Sequence, residues 1–132
     1  MEITKTVQDI LTTSPARVLA SRDETGVNAV PISMVRANER DIWICNFFME
    51  KTVENVQNNP YVSLVAWNGA NGMQVKGRVE YITEGEVFEE ARAWVEETNP
   101  ARTLKGLLVL TPTGVFDVSI DKIYSQEELG ME

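Results

Sequence analysis

The chain has 132 residues and a net charge of −8, with a pI near 4.6. That length suits one domain and is short for two, and with no basic run it offers nucleic acid or an anionic membrane surface no footing. There is no histidine and one cysteine, Cys45, which excludes Ser–His–Asp and Cys–His catalysis, histidine-held zinc or haem, and an intrachain thiolate cluster.

A hydrophobic content of 43% is enough for a real core. A lone cysteine forms no internal disulfide, so a reducing cytoplasm is the expectation. Residues 1–5 lack the apolar stretch of a secretory signal. No apolar run approaches the ~20 residues of a membrane span.

In chain order, Ile3, Val7, Ile10 and Leu11 share one helical face, and Ser14-Pro15 stops that helix. Residues 17–21 predict a short strand, and Asp23-Glu24-Thr25-Gly26 a turn. Residues 28–36 are rich in apolar and β-branched side chains, with Pro31 inside the run. A proline there points to a sheet edge or a bulge. A turn at residues 38–41 precedes a strand at 42–45. A helix at about 49–58 ends at Asn59-Pro60. Residues 61–67 and 73–83 read as strands, the second with Gly77 at its middle. Thr83 and Glu86 have the spacing of a capping box. The helix beyond them puts Val87, Phe88, Ala91, Trp94 and Val95 on one side, and Asn99-Pro100 ends it. Strands at 104–110 and 115–120, with a turn at 111–114, close the chain. The sum is six or seven strands and three helices in hairpin order. That is mainly β (α+β): an antiparallel barrel or curled sheet with helices outside.

Three stretches carry candidate chemistry. Lys51 and Thr52 fall in the first turn of the 49–58 helix, where unpaired N–H groups and the helix dipole favour an anion. An ordinary solvated lysine is the plainer alternative. Asn28-Ala29-Val30-Pro31-Ile32-Ser33 is an edge strand whose backbone groups are available to a flat heteroaromatic ring, or simply an edge. Gln74, Lys76 and Arg78 alternate onto one face of a long strand, which suits a phosphate, a partner chain or solvent. Trp43, Trp67 and Trp94 read as packing residues. Phe47 and Phe48 suit either a ligand or a subunit seam. Cys45 has no activating partner in sequence and reads as a lining or core residue.

The order and spacing of "NAVPISMV", "IWICNFFMEKTVENVQNNPYVSLVAW" and "MQVKGRVEYITEG" resemble the pyridoxamine 5′-phosphate oxidase-like family of FMN-binding split barrels. The most specific part is the pattern Lys51, Thr52, Asn55, Asn59, Pro60, followed by a Val-Ser-Leu strand. The resemblance implies a six- to seven-stranded antiparallel split β-barrel with flanking helices, residues 1–132 forming one domain. It implies a homodimer with FMN at the interface. Ala29, Val30, Pro31, Ile32, Ser33 and Met34 would then lie along the flavin and ribityl chain. Ile44, Cys45 and Asn46 would line the same pocket, Lys51 and Thr52 would hold the phosphate, and Gln74 would reach the cofactor from the long strand.

The chain departs from true pyridoxamine phosphate oxidases. They carry arginine and lysine where it has Ala29 and Met34, a basic residue where it has Glu50, and a C-terminal Arg-x-His signature that it lacks. The expectation is therefore a general flavin-binding branch: an FMN oxidoreductase acting on a small molecule, or alternatively an electron carrier, flavin store or stress-linked redox protein.

Overall fold

The computed structural model describes residues 2–130. Seven strands form one antiparallel sheet: β1 (Ala16–Asp23), β2 (Gly26–Pro31), β3 (Val35–Ala37), β4 (Ile42–Asn46), β5 (Tyr61–Asn68), β6 (Asn71–Ile82) and β7 (Gly106–Asp117). Four helices flank it: α1 (Lys5–Thr13), α2 (Lys51–Asn58), α3 (Glu86–Thr98) and α4 (Gln126–Leu129). The lateral order is β2-β1-β5-β6-β7-β4-β3.

That order contains its own curvature. β2 and β3 are the two outer strands, yet only residues 32–34 separate them in the chain. Seven flat strands would put the outer pair roughly 29 Å apart, at about 4.8 Å per gap. A three-residue link reaches at most about 14 Å between the flanking Cα atoms. The sheet must therefore curl until its ends nearly meet. The link is pinned on both sides: Ile32 N–H donates to Arg17 O at 3.0 Å and Cys45 N–H to Met34 O at 3.2 Å. The Arg17 guanidinium donates to Ser33 O on the link, and to Leu11 O and Ser14 O at the end of α1. Burial lowers its pKa.

The inner face is apolar by alternation. Leu19, Leu64, Ala66, Met73, Val75 and Leu110 are fully buried, and α1 closes the core with Val7 and Leu11. A second cluster lies under α3, where Phe88, Ala91 and Val95 meet Trp43, Cys45, Phe47 and Leu107.

Several local expectations are corrected. The 28–36 run is two strands at opposite edges of the sheet, divided at the link. Residues 111–114 are not a turn, because β7 runs unbroken through them. Pro112 lies opposite Gly77, where the β6–β7 register shifts between Lys76 and Gly77, so its missing N–H costs little pairing. A Cβ at Gly77 would sit 2.3 Å from Thr111 O, so close backbone approach requires glycine there. Thr83 and Glu86 form no capping box, because Gly85, at φ 102°, is the N-cap of α3. A capping box does form at Ser125 and Glu128, on the unexpected helix α4.

Replacing Arg17 by Met keeps the apolar stem and removes the three bonds to carbonyls. We expect Arg17→Met to lose about 2–3 kcal/mol in urea unfolding. A loss under about 0.5 kcal/mol would show that closure does not depend on this side chain.

Candidate functional site

Helix α2 sits over the inner side of the β1–β2 hairpin and is docked by polar contacts. Lys51 and Asn55 are one helical turn apart, and so lie one above the other. Asp23 and Ser21 are alternate residues of β1, on one face and a similar distance apart. The two spacings match. Lys51 Nζ lies 2.6 Å from Asp23 Oδ2, and Asn55 Nδ2 donates to Ser21 Oγ at 3.1 Å. Between them the buried Thr52 Oγ1 accepts from Asn28 Nδ2 on β2 at 3.1 Å. Lys51 also approaches Glu54 Oε1 at 3.5 Å. The bond to Asp23 raises the Lys51 pKa, and the same bond helps hold the Asp23 carboxyl well below the usual carboxylate range. Lys51 is thus neither a free solvated lysine nor an open anion seat. It is a half-exposed ammonium already paired with two carboxylates.

The first turn of α2 carries no side-chain cap. Glu50 is the N-cap residue and makes no capping bond. The Thr52 hydroxyl accepts from Asn28 and makes no donation among the described residues. Backbone N–H groups and one O–H therefore remain to be used at this end.

A groove of about 300 Å³ opens beside the link. Val30, Pro31, Ile32 and Ser33 form one wall; Cys45, Phe47, Phe48, Met49 and Arg102 form the others. β2 joins the groove to the start of α2: Val30 lines the groove, and Asn28, two residues back, bonds Thr52. That step along the strand is about 6.6 Å.

The candidate residues distribute unevenly. Val30, Pro31, Ile32, Ser33 and Cys45 share the groove. Ala29 is exposed, on the opposite face of β2 from Val30. Met34 closes the link through its carbonyl and packs into the α3 cluster. Ile44 is wholly inside the barrel core. Asn46 is buried and works on the fold: its Oδ1 accepts from Met49 N–H, and its Nδ2 donates to Tyr81 Oη. Gln74 is on the outer face of the sheet, paired across strands with Val65 and Phe116, and does not line the groove.

Arg102 lines the groove from the loop between α3 and β7, and sequence reasoning missed it. Its guanidinium stands 5.5 Å from the Phe47 ring centre and 5.3 Å from that of Phe48. Phe47 is buried, whereas Phe48 is 75% exposed at the groove mouth. The local signal, a lone arginine in Ala101-Arg102-Thr103, is slight. Only the fold brings it to Phe47.

Burial pushes the Cys45 thiol up to about 12. It is therefore protonated at neutral pH, and is a groove wall rather than a nucleophile. Because its folded pKa lies above its unfolded one, its contribution to stability is full below the unfolded value and fades as pH rises through the folded value. We expect iodoacetamide at pH 8 to alkylate native Cys45 at least tenfold more slowly than urea-unfolded protein. Equal rates would contradict the buried, protonated thiol.

Among the described residues, no helix is long and apolar enough to cross a membrane. No group of three or more metal-ligating side chains is found among them either. A 31% identical relative from Methanocaldococcus jannaschii, an uncharacterised protein, aligns over 88 residues. The alignment covers 66% of this chain and 59% of that protein. HupZ of Group A Streptococcus superposes with a TM-score of 0.80 at 19% identity, over 89% of this chain and 95% of that one. An FMN-binding protein from Syntrophomonas wolfei superposes at 0.76 and 19% identity, over 89% and 86%. At such identities the likeness concerns the fold. The sequence profile of the pyridoxamine 5′-phosphate oxidase family matches residues 3–119, nearly the whole chain, and the chain belongs to that family.

Proposed function

We propose that the chain binds FMN, as a homodimer, and serves as a flavin-dependent oxidoreductase for a small molecule. The observation that carries this reading is the continuity of two unlike surfaces along β2. One is the largely apolar groove at Val30–Ser33; the other is the uncapped α2 start at Lys51 and Thr52. A flat ring joined by a polar chain to a phosphate has the same polarity profile. The name of the S. wolfei neighbour, an FMN-binding protein, supports the choice of flavin.

In this reading Val30, Pro31, Ile32, Ser33 and Cys45 pack the ring and its polar chain. Thr52, the first N–H groups of α2 and Lys51 hold the phosphate. Bound flavin would supply hydride or electron transfer. The protein's own part is to orient the ring, screen it from water with Phe47 and Phe48, and admit the reaction partner past Arg102. Ala29, Met34, Glu50 and the absence of histidine leave vitamin B6 oxidation without its usual binding groups.

The dimer is supported by the outer face of the sheet. Val27, Tyr61, Phe116, Val118 and Ile120 are large exposed apolar residues, from 40% to 79% accessible. Cross-strand pairing puts Pro31, Val18, Val65, Gln74 and Phe116 in one row. Gln74 would reach a flavin only from a second copy placed against this face. One observation favours the alternative of an electron carrier or flavin store. Among the described groove-lining residues, Cys45 and Arg102 are the ionisable ones, and neither serves as a general base near neutral pH.

Purified protein is expected to be yellow or to bind added FMN; colourless protein indifferent to FMN would refute the reading. Lys51→Ala should weaken FMN about tenfold and leave riboflavin within about twofold, since one charge-assisted contact to phosphate is lost. An equal loss for both ligands would contradict the role given to Lys51. Steady turnover of NAD(P)H with an acceptor separates oxidoreductase from carrier. Phe116→Glu should shift the sedimentation mass from two chains to one, whereas unchanged association would remove the outer face from the interface.

A further inference from the structure

We propose that Asp23 is a specificity-determining residue that sets the preference between phosphorylated and unphosphorylated flavin, by competing with the phosphate for Lys51. This rests on the reading of the α2 start as the phosphate end of the site.

The geometry gives Asp23 two distinct tasks. Its Oδ1 accepts from Thr25 N–H at 2.8 Å, Thr25 Oγ1 at 2.7 Å and Gly26 N–H at 3.1 Å, which fixes the β1–β2 turn. Its Oδ2 takes Lys51 Nζ at 2.6 Å. Held at one oxygen by three donors, the carboxylate does not swing away when a ligand arrives. Lys51 is the movable member, with a flexible side chain that is 48% exposed. A phosphate at the first turn of α2 must draw the ammonium off a fixed anion, and it meets the repulsion of that anion. Glu54, at 3.5 Å from the ammonium and more exposed, competes more weakly. Glu24 and Glu50 are exposed nearby and form no ion pair with Lys51 among the described residues.

Riboflavin has no phosphate and does not need Lys51, so its binding is indifferent to the pair. The Asp23–Lys51 pair therefore penalises FMN and not riboflavin. It narrows a preference that the lysine would otherwise make wide. Asp23 belongs to the site as a negative element, and neither its sequence position nor the groove lining reveals it.

Asp23→Asn tests this with little disturbance, because the amide oxygen still accepts from Thr25 and Gly26. FMN and riboflavin affinities are measured by fluorescence quenching for wild type, Asp23→Asn, Lys51→Ala, the double variant and Glu54→Gln. Asp23→Asn should bind FMN about three- to tenfold more tightly, with riboflavin unchanged within about twofold. The gain should vanish in the Lys51→Ala background, as a double-mutant cycle requires of a coupled pair. Glu54→Gln should gain less than Asp23→Asn. Unchanged or weaker FMN binding by Asp23→Asn, or a gain that persists without Lys51, would overturn the proposal and leave the flavin reading standing. If wild type and every variant ignore both flavins, the flavin reading falls and the proposal falls with it.

Discussion

The three-residue link between β2 and β3 is the constraint on which the rest of the structure depends. It converts a seven-stranded sheet from a ribbon into a curled half-barrel, because the outer strands cannot lie further apart than the link reaches. The interior that results is filled by the alternate residues of β1, β5, β6 and β7 and capped by α1. The groove exists because the curl stops short of full pairing. At the link, two backbone bonds and the Arg17 side chain stand in for a ladder, and the space beside them stays open.

Helix α2 shows how one set of contacts can hold a helix in place and, in the proposed reading, shape the phosphate end of the site. The turn spacing of the helix and the alternate spacing of β1 bring two polar pairs into register, Lys51 with Asp23 and Asn55 with Ser21. Both pairs hold the helix on the hairpin. The same arrangement aims the uncapped first turn of the helix toward the β2 end of the groove. Lysine is unfavourable at a helix start on dipole grounds. Asp23 offsets that cost in the fold.

Much of this was legible in the sequence, and the failures have physical causes. The α2 boundaries, the edge character of Pro31 and the alternation of β5 and β6 follow from local pattern. So does the Lys51–Pro60 spacing, which carries the family. The division of the 28–36 run between two edges is a property of the whole sheet and leaves no local mark. Thr111-Pro112-Thr113-Gly114 has turn chemistry, but tertiary pairing overrides it: Pro112 meets Gly77 at a register shift, where no regular ladder bond is required. The capping-box spacing at Thr83 and Glu86 is overridden by the left-handed Gly85. Within the candidate site, Val30 and Cys45 are reached through the family resemblance, and the fold puts both in the groove wall. Asp23 and Arg102 are not, since each meets the site only after chain segments 28 and 55 residues from its partner, Lys51 and Phe47, have been folded together.

The open space beside the link is also the seam where the first and last strands of the sheet come together. A molecule lodged there touches Val30 on β2 and Cys45 on β4 at once, and so bridges two strands that no ladder joins. Occupancy would act as a rivet. Its energy would go into holding together strands that only the link and its few backbone bonds now join, rather than into the ordering of a surface loop. Amide protons of β2 and β4, far apart in lateral order, would then slow together in hydrogen exchange.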